Sequence, residues 1–387
     1  MKSGNDWGRL DLNFKNLSEI SDYVNERVKV EDLTIENYIS TENMLPNKGG
    51  IDVATKLPSA KTTSLYSKGD ILLSNIRTYF KKIWYAEKDG GCSNDVLVVR
   101  ARGEIEPKFL YYVLSNDKFF EYSSATSKGT KMPRGDKSAI MQYQIPDMPL
   151  EEQQTIVSVL SALDDRIAEN KKINHHLEQI VYCNFNNFLD SSVKLTTTLY
   201  SLADVIDNRG KTPPLVEKSI YPIIDVRTLI GDTRLVEYKN AQKYVDEETY
   251  NNWFRSGHPK RFDSLISTVG SVGSIKMFLE NKGTIAQNVV ALRPKNTIGL
   301  FLYQLLLSIQ GKLKAYDIGS VQPSIKVTHF MKQEVEIPDL KSITDWEKSI
   351  MPVVLLIENN SKEADQLIEL RDNLLSKLMS GDISVID

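Results

Sequence analysis

Residues 145–167 read IPDMPLEEQQTIVSVLSALDDRI, and this stretch decides how the chain is organised. Its apolar side chains recur in alternating steps of four and three residues, at Ile156, Leu160, Leu163 and Ile167. This spacing is typical of the packed seam of a long helix. Pro146 stands just before the helix, at a position where a proline ends strand pairing. The stretch therefore predicts that a strand-rich globular segment ends near residue 146 and that a long helix follows.

The same arrangement occurs a second time, about 193 residues further along the chain. Short matching segments appear in the same order and at nearly constant spacing in both halves. The matched pairs are residues 70–74 with 263–267, 95–100 with 288–293, 109–111 with 301–303, and 145–147 with 337–339. Such self-similarity indicates that the chain arose by duplication of one unit.

Each half starts with short β-branched and aromatic runs that are interrupted by Gly, Asn, Asp and Pro, which predicts a strand-rich domain. A short helical stretch and the long helix then follow. We therefore predict a mixed α/β (α+β) fold, with two globular domains separated by two long helices. The predicted segments are a first globular domain at residues 1–146, a central helix at 147–190, a second globular domain at 191–338 and a C-terminal helix at 339–387.

The two long helices are expected to pair with each other. Residues 151–189 make 39 residues, or about 58 Å of helix at 1.5 Å per residue. A helix of this length with one apolar stripe must bury that stripe, so we predict an antiparallel or crossed coiled coil that holds the globular domains apart. Pro352 marks either the start of the second helix or a kink in it. The seam of the second helix is predicted at Ile343, Trp346, Ile350, Val353 and Ile357.

The net charge of −3 is unevenly distributed along the chain. Residues 1–146 carry 21 Lys and Arg against 19 Asp and Glu, and residues 191–338 carry 19 against 14. The helical segments are acidic, with 3 against 8 in residues 147–190 and 5 against 10 in residues 339–387. Mildly basic domains on acidic helices are compatible with a polyanionic partner for the domains.

Composition also excludes several classes of protein. The sequence has no secretory signal at its start, and its densest apolar run, Ile350–Ile357, is too short to span a bilayer. Cys92 and Cys183 lie far apart without metal-ligand neighbours. We therefore expect a cytoplasmic, reduced protein without a metal or a membrane partner.

The order of these motifs resembles that of the specificity subunits of type I restriction–modification systems. Residues 145–154, IPDMPLEEQQ, are similar to the start of the family's first conserved helix. Residues 374–381, LLSKLMSG, resemble its usual ending, and residues 319–325, GSVQPSI, resemble the segment that closes a target-recognition domain. Residues 129–133 and 343–347 depart from the family pattern.

The resemblance implies a non-catalytic role without a cofactor. Each globular domain would be a target-recognition domain that reads one half of a split double-stranded DNA target. The helices would dock two methyltransferase subunits, and translocating nuclease subunits would join that complex. Because the loops of the two halves differ, the two half-sites are expected to differ in sequence.

Candidate DNA-binding residues are cations, hydroxyls and amides in the loops of both domains. Lys, Arg and hydroxyl groups suit phosphate contacts, and planar Arg and Gln side chains suit base edges. The segment Ile76–Lys82 interleaves cations with aromatics after a strand, and cations recur every third residue from Lys128. The candidates are Arg77, Thr78, Tyr79, Lys81, Lys82, Lys128, Lys131, Arg134, Arg209, Lys211, Lys260, Arg261, Ser271, Ser274, Gln322 and Lys326.

No catalytic motif is recognisable in the sequence. The chain lacks the Asn/Asp-Pro-Pro-Tyr/Phe signature of amino-methyltransferases and a phosphate-binding loop. His175 and His176 point to different faces of a helix, which is poor geometry for a metal. We therefore predict no active site. Two alternatives stay open, namely a protein-interaction scaffold whose duplicated heads do not read DNA, and an inactive remnant.

Overall fold

The computed structural model describes residues 13–129, 131–210, 212–231, 233–280, 282–314, 324–380 and 382–383. The chain forms two compact units. The first unit combines residues 1–168 with 365–387, and the second comprises residues 169–364. Each unit therefore contains one globular part together with a portion of each long helix.

The globular part of the first unit is built from short strands with helices inserted between them. Its strands are β1 (Asn13–Asn16), β2 (Ser21–Tyr23), β3 (Arg27–Lys29), β4 (Tyr38–Ile39), β5 (Thr62–Tyr66), β6 (Ile71–Ser74), β7 (Ile83–Tyr85), β8 (Gly90–Cys92), β9 (Val96–Ala101) and β10 (Gln144–Asp147). Its helices are α1 (Leu17–Ile20), α2 (Pro107–Ser115), α3 (Asp117–Ala125) and α4 (Lys137–Ile140), and the long helix α5 (Leu150–Ser191) follows.

The core of this part is a four-stranded sheet in the order β2-β9-β6-β7, antiparallel throughout. Residues 71–74 of β6 and 96–99 of β9 are buried on both faces, because α2 and α3 cover one face and a second sheet, β3-β5-β8-β4, lies beyond the other. β1 and β10 pair antiparallel directly before α5. The loops after β6 and before β9 emerge at the same end of the core sheet.

The second unit repeats this plan. Its strands are β11 (Leu195–Thr198), β12 (Ala203–Ile206), β13 (Tyr221–Ile224), β14 (Tyr244–Val245), β15 (Asp263–Ser267), β16 (Ile275–Phe278), β17 (Thr284–Ile285), β18 (Val289–Pro294) and β19 (Glu334–Ile337). Its helices are α6 (Leu199–Leu202), α7 (Glu247–Asn252), α8 (Gly299–Ser308), α9 (Gln310–Lys314), α10 (Val327–Phe330) and the long helix α11 (Leu340–Ser380).

The strand order confirms that the two halves are copies. The core sheet of the second unit runs β12-β18-β15-β16, which is the order of the first core sheet, and β11 pairs with β19 as β1 pairs with β10. Two of the four matched sequence segments coincide with the two central strands, and the other two lie on the helix that follows and on the strand before the long helix. In both copies a buried Asp at the start of the third strand holds an Arg of its neighbour, with Asp70 2.7 Å from Arg100 and Asp263 2.9 Å from Arg293.

The long helices α5 and α11 pack together in antiparallel orientation, which confirms the predicted coiled coil. In the first unit Ile156 and Leu160 of α5 lie in one apolar cluster with Leu375 and Leu378 of α11. In the second unit Val181 and Phe185 share a cluster with Ile343, Trp346 and Ile350. The start of each helix thus meets the end of the other.

Two details of the seam correct the sequence prediction. Val354 is fully buried, whereas Val353 is only partly buried against the same apolar cluster, so residue 354 is the central seam position between Ile350 and Ile357. Pro352 lies inside α11, twelve residues after Leu340, so it does not mark the start of that helix.

Two half-buried asparagines on the seam, Asn174 and Asn360, are hydrogen-bonded across it. Asn174 donates from Nδ2 to the Ile357 carbonyl and to Ser361 Oγ, both at 3.0 Å. Asn360 Nδ2 donates back to Asn174 Oδ1 at 3.0 Å. Such pairs fix the register of two helices, because any sliding would leave half-buried amides without partners.

Each long helix also caps a shorter helix of its own unit. Gln153 of α5 is buried, and its Oε1 accepts from the backbone N–H of Glu106 at 2.8 Å, just before α2. Glu347 of α11 makes a similar contact in the second unit and accepts from the N–H of Phe301 at 2.9 Å, in the first turn of α8. These contacts fix the angle at which each long helix leaves its domain.

Candidate nucleic-acid interface

The two basic segments predicted in the first domain meet on one surface. The backbone N–H of Arg77 donates to the Pro133 carbonyl at 2.8 Å, and that of Gly135 donates to the Asn75 carbonyl at 3.1 Å. Lys128 and Arg134 exchange two further backbone hydrogen bonds of 2.9 Å. Residues 75–82, here the aromatic loop, and residues 127–129 with 131–135, here the basic loop, therefore form one surface at the end of the core sheet.

Five of the candidates are exposed on this surface, namely Arg77, Tyr79, Lys128, Lys131 and Arg134. Lys128 pairs with Asp136 at 2.5 Å and Arg134 pairs with Asp95 at 2.9 Å, both as exposed ion pairs that water screens strongly. Arg77 and Lys131 make no side-chain ion pair with any described residue. They are the cations most available to a phosphate.

The other three candidates of the aromatic loop hold the loop in place. Thr78 is buried, and its hydroxyl lies 2.9 Å from that of Ser124. Lys81 Nζ is 3.0 Å from Asp117, and Lys82 Nζ donates to the Thr41 carbonyl at 2.6 Å. Burial lowers the pKa of Lys82. These contacts favour a structural role for the three residues.

In the second domain, Ser271 and Ser274 occupy the loop between β15 and β16, which corresponds to the aromatic loop. The N–H of Ile325 donates to the Thr268 carbonyl at 2.9 Å, as Gly135 does to Asn75 in the first copy. The segment that begins at Ser324 therefore lies beside this loop and carries the exposed Lys326. Ser274 Oγ donates to the Ser271 carbonyl at 3.1 Å, so the turn is internally tied.

Arg209 lies near the same segment. It pairs with Asp207 at 2.5 Å and lines a cavity of about 210 Å³ together with Val327 and Thr328, the neighbours of Lys326. Lys211 and Gln322 lie outside the described residues.

Lys260 and Arg261 are placed differently from the other candidates of the second domain. They precede β15, whereas Ser271 follows it, so the strand separates them from the Ser271 loop. Arg261 forms hydrogen bonds of 3.0 and 2.6 Å with the buried carboxylate of Glu358 on α11. This ion pair raises the pKa of Arg261 and lowers that of Glu358. Arg261 therefore fastens the domain to its helix, while Lys260 remains exposed.

A larger cavity of about 470 Å³ lies beside Ser271 and Ser274, but its buried cations are engaged within the protein. Arg234 stacks over the Tyr303 ring at 5.6 Å and lies 3.4 Å from Glu178 of α5. Lys276 Nζ donates to the Gly231 carbonyl at 2.7 Å. These groups tie the loop around residue 231 to the sheet and to α5.

Sequence reasoning missed the turn at residues 46–50, which contacts the aromatic loop. The N–H of Asn47 donates to the Phe80 carbonyl at 2.8 Å, and the N–H of Lys48 to the Lys81 carbonyl at 2.9 Å. The sequence Pro-Asn-Lys-Gly-Gly is a recognisable turn signal. Its contact with a loop thirty residues away could not be read from spacing.

Within the described residues, no cluster of three or more His, Cys, Asp or Glu side chains is arranged to hold a metal ion. Among the described helices, none combines the length and the apolar character needed to cross a membrane.

Comparison with known proteins gives consistent matches over both halves. The sequence profile of the type I restriction modification DNA specificity domain matches residues 11–179 and 198–351. The type I restriction enzyme MjaIX specificity subunit of Methanocaldococcus jannaschii is 21% identical over 380 residues, covering 91% of this chain and 86% of its own. The type I restriction enzyme HindI specificity subunit of Haemophilus influenzae is 29% identical over 459 residues, covering 95% and 98%.

A solved structure shares the fold over nearly the whole chain. The S subunit of a type I restriction-modification system from M. genitalium superposes with a TM-score of 0.57 at 18% identity, covering 98% of both chains. The duplicated sheets, the paired helices and the profile match over both halves lead to one assignment. The chain belongs to the family of type I restriction–modification DNA specificity subunits.

Proposed function

We propose that this chain is the non-catalytic subunit that selects the DNA target of a type I restriction–modification complex. One observation carries the proposal, namely that in both copies the same end of the core sheet presents a loop and an adjoining segment, and that at least one cation is exposed there. Arg77 and Lys131 supply these cations in the first copy, and Lys326 does so in the second. Exposed cations at loop tips suit contacts with phosphates.

The proposed target is bipartite and asymmetric. In the first copy the loop between the third and fourth strands of the core sheet reads NIRTYFKK, residues 75–82, and in the second it reads TVGSVGS, residues 268–274. A cationic, aromatic loop and a small hydroxyl-rich loop offer different donors and shapes to a base pair. Two unlike readers in one chain therefore suit two unlike half-sites, whereas identical readers would suit a palindrome.

We further propose that the long helices dock two methyltransferase subunits, which recruit the translocating nuclease subunits. Residues 147–190 and 339–387 each have five more acidic than basic residues, so these surfaces suit a protein partner better than DNA. Both helices expose large apolar side chains in water, among them Val159, Ile180, Leu356 and Leu370. Exposed apolar side chains beside charged ones are typical of interaction surfaces.

The test is methylome sequencing of cells that express the complex, combined with exchange of one domain. Replacing residues 1–146 by the corresponding domain of another specificity subunit should change one half of the methylated motif and leave the other half intact. A change in both halves, or in neither, would contradict modular reading. A chain that assembles with its partners but directs no methylation would instead support the scaffold alternative.

A further inference from the structure

Unfavourable backbone conformations are concentrated at the aromatic loop. Among the described residues, five other than glycine have φ in the left-handed region, and four of them are Asn47, Lys48, Arg77 and Lys81. These four belong to the aromatic loop and to the 46–50 turn that contacts it. Such conformations are costly for residues with a Cβ atom, and they persist only where the surrounding structure imposes them.

Hydrogen bonds on both sides impose this conformation. Backbone N–H groups of the 46–50 turn donate hydrogen bonds to the carbonyls of Phe80 and Lys81. On the other side, the Pro133 carbonyl accepts a hydrogen bond from the N–H of Arg77. The buried Thr78 hydroxyl is hydrogen-bonded to that of Ser124, and Lys81 forms an ion pair with Asp117. The short 3-10 turn Thr78–Phe80 between the two left-handed residues is therefore fixed in place.

This rigid turn presents two aromatic side chains to solvent. Tyr79 is 52% exposed and Phe80 is 39% exposed, and their ring centroids lie 4.7 Å apart. The rings contact each other but are not buried by the fold. A strained turn that directs its threonine inward and two aromatics outward is suited to contact another molecule.

The charge around the two rings indicates what kind of molecule they contact. Arg77 lies two residues before Tyr79, and the hydrogen-bonded basic loop adds Lys128, Lys131 and Arg134, all exposed. Only Asp95 and Asp136 form ion pairs with these four cations among the described residues. An aromatic pair bordered by an excess of positive charge suits nucleic acid, whose phosphates meet the cations while the rings meet the bases.

We propose that Tyr79 and Phe80 act as a wedge that enters a groove of the first half-site and partly unstacks one base step. Inserted apolar side chains of this kind unstack and kink duplex DNA. The preformed turn lowers the entropy lost on binding, because the rings are already presented. The inference rests on the proposed function and adds that the first half-site is read partly through its deformability.

The second copy supplies an internal control. Its corresponding loop, residues 268–274, contains no aromatic residue. The wedge therefore predicts, apart from any flipping of target bases by the methyltransferase subunits, a distortion in the first half-site that has no counterpart in the second. A distortion caused by assembly of the complex as a whole would not be confined in this way.

The experiment uses duplexes that carry the methylated motif, with 2-aminopurine placed at each position in turn, and the specificity chain in its complex with methyltransferase subunits. Outside the target bases, which methyltransferases themselves flip out of the stack, we expect fluorescence to rise at one step of the first half-site only. Tyr79→Ala and Phe80→Ala should abolish the rise and weaken binding about tenfold each, which corresponds to about 1.4 kcal/mol. Tyr79→Phe should retain both. Phe14→Ala, which removes a comparably exposed ring on β1, is the matched control and should change neither.

Several outcomes would overturn the wedge. Tight binding without any rise in fluorescence, or a rise that survives both alanine substitutions, would show that the rings do not enter the stack. Loss of methyltransferase association in the Tyr79→Ala chain, with its thermal unfolding unchanged, would place the rings in a protein interface instead. If the complex methylates no motif, the proposed function itself fails, and the wedge fails with it.

Discussion

Gln153 and Glu347 have the same structural role, but their side chains differ in charge. Both are buried near the start of the long helices, and both accept a hydrogen bond from the N-terminal end of a shorter helix. Gln153 is neutral, whereas Glu347 must either lose its hydration as an ion or take up a proton. Burial raises the pKa of Glu347 to about 7, although hydrogen bonds from the N–H groups of Phe301 and Leu300 oppose the shift.

The stability of the protein is expected to depend on pH through Glu347. Below pH 4.5 Glu347 is protonated in both states, and between pH 4.5 and 7 only the unfolded chain ionises, so stability falls as the pH rises through this window. Glu347→Gln removes this loss and should stabilise the protein by about 1–3 kcal/mol above pH 7, with little effect near pH 4. Chemical denaturation across this pH range measures the difference. Glu336→Gln, at an exposed position on β19, is the control and should have little effect.

Arg77 and Arg261 were both predicted DNA contacts, and the structure separates them. Arg77 is exposed without an ion pair to a described residue, whereas Arg261 is held by Glu358. Arg77→Ala should weaken DNA binding and reduce the slope of log K against log salt by about one. Arg261→Ala should leave this slope unchanged but lower the free energy of unfolding by about 2 kcal/mol, because Glu358 loses a partner.

Binding titrations at several salt concentrations, together with thermal unfolding, test this pair of variants. A reduced slope for Arg261→Ala would indicate that Arg261 contacts DNA after all. An unchanged affinity for Arg77→Ala at moderate salt would indicate that Arg77 does not contact DNA.

Among the elements, the paired helices owe their register to polar groups. The apolar seam alone would tolerate sliding by one heptad, whereas the hydrogen bonds between Asn174, Asn360 and Ser361 are satisfied in one register only. Lys362 and Arg261 both contact Glu358, which fixes the same region of α11 from the outside.

Asn174→Ala should therefore lower the free energy of unfolding by about 1–3 kcal/mol, since it removes two donated bonds and the acceptor of Asn360. Asn187→Ala, at an exposed position of the same helix, is the matched control and should have little effect. Urea denaturation of both variants measures the difference. Equal stability of the two would mean that the seam amides contribute nothing.

The whole molecule segregates its charge, with basic globular segments and acidic helices. Residues 1–146 and 191–338 together carry 40 Lys and Arg against 33 Asp and Glu, counted as 21 with 19 and 19 with 14. So small an excess should give the isolated chain only weak, salt-sensitive binding to DNA. Adding the methyltransferase subunits should raise the affinity for DNA.

Fluorescence anisotropy of a labelled duplex, with and without those subunits, measures this difference at each salt concentration. Tight, salt-insensitive binding by the isolated chain would contradict the prediction.

The sequence determined the duplication, the two long helices and most of their seam, because helical periodicity and repeated motifs are local properties of the chain. It also placed cations in loops, since Lys and Arg beside turn residues are easily recognised. Only the tertiary structure showed which of these cations are exposed and which are engaged by carboxylates such as Glu358 and Asp117. Such partners come from distant parts of the chain, Glu358 lying 97 residues from Arg261, so no local pattern contains them. The strained turn of Arg77–Lys81 likewise depends on hydrogen bonds from residues 46–50 and 133, and tertiary contact alone can impose a conformation that local preference opposes.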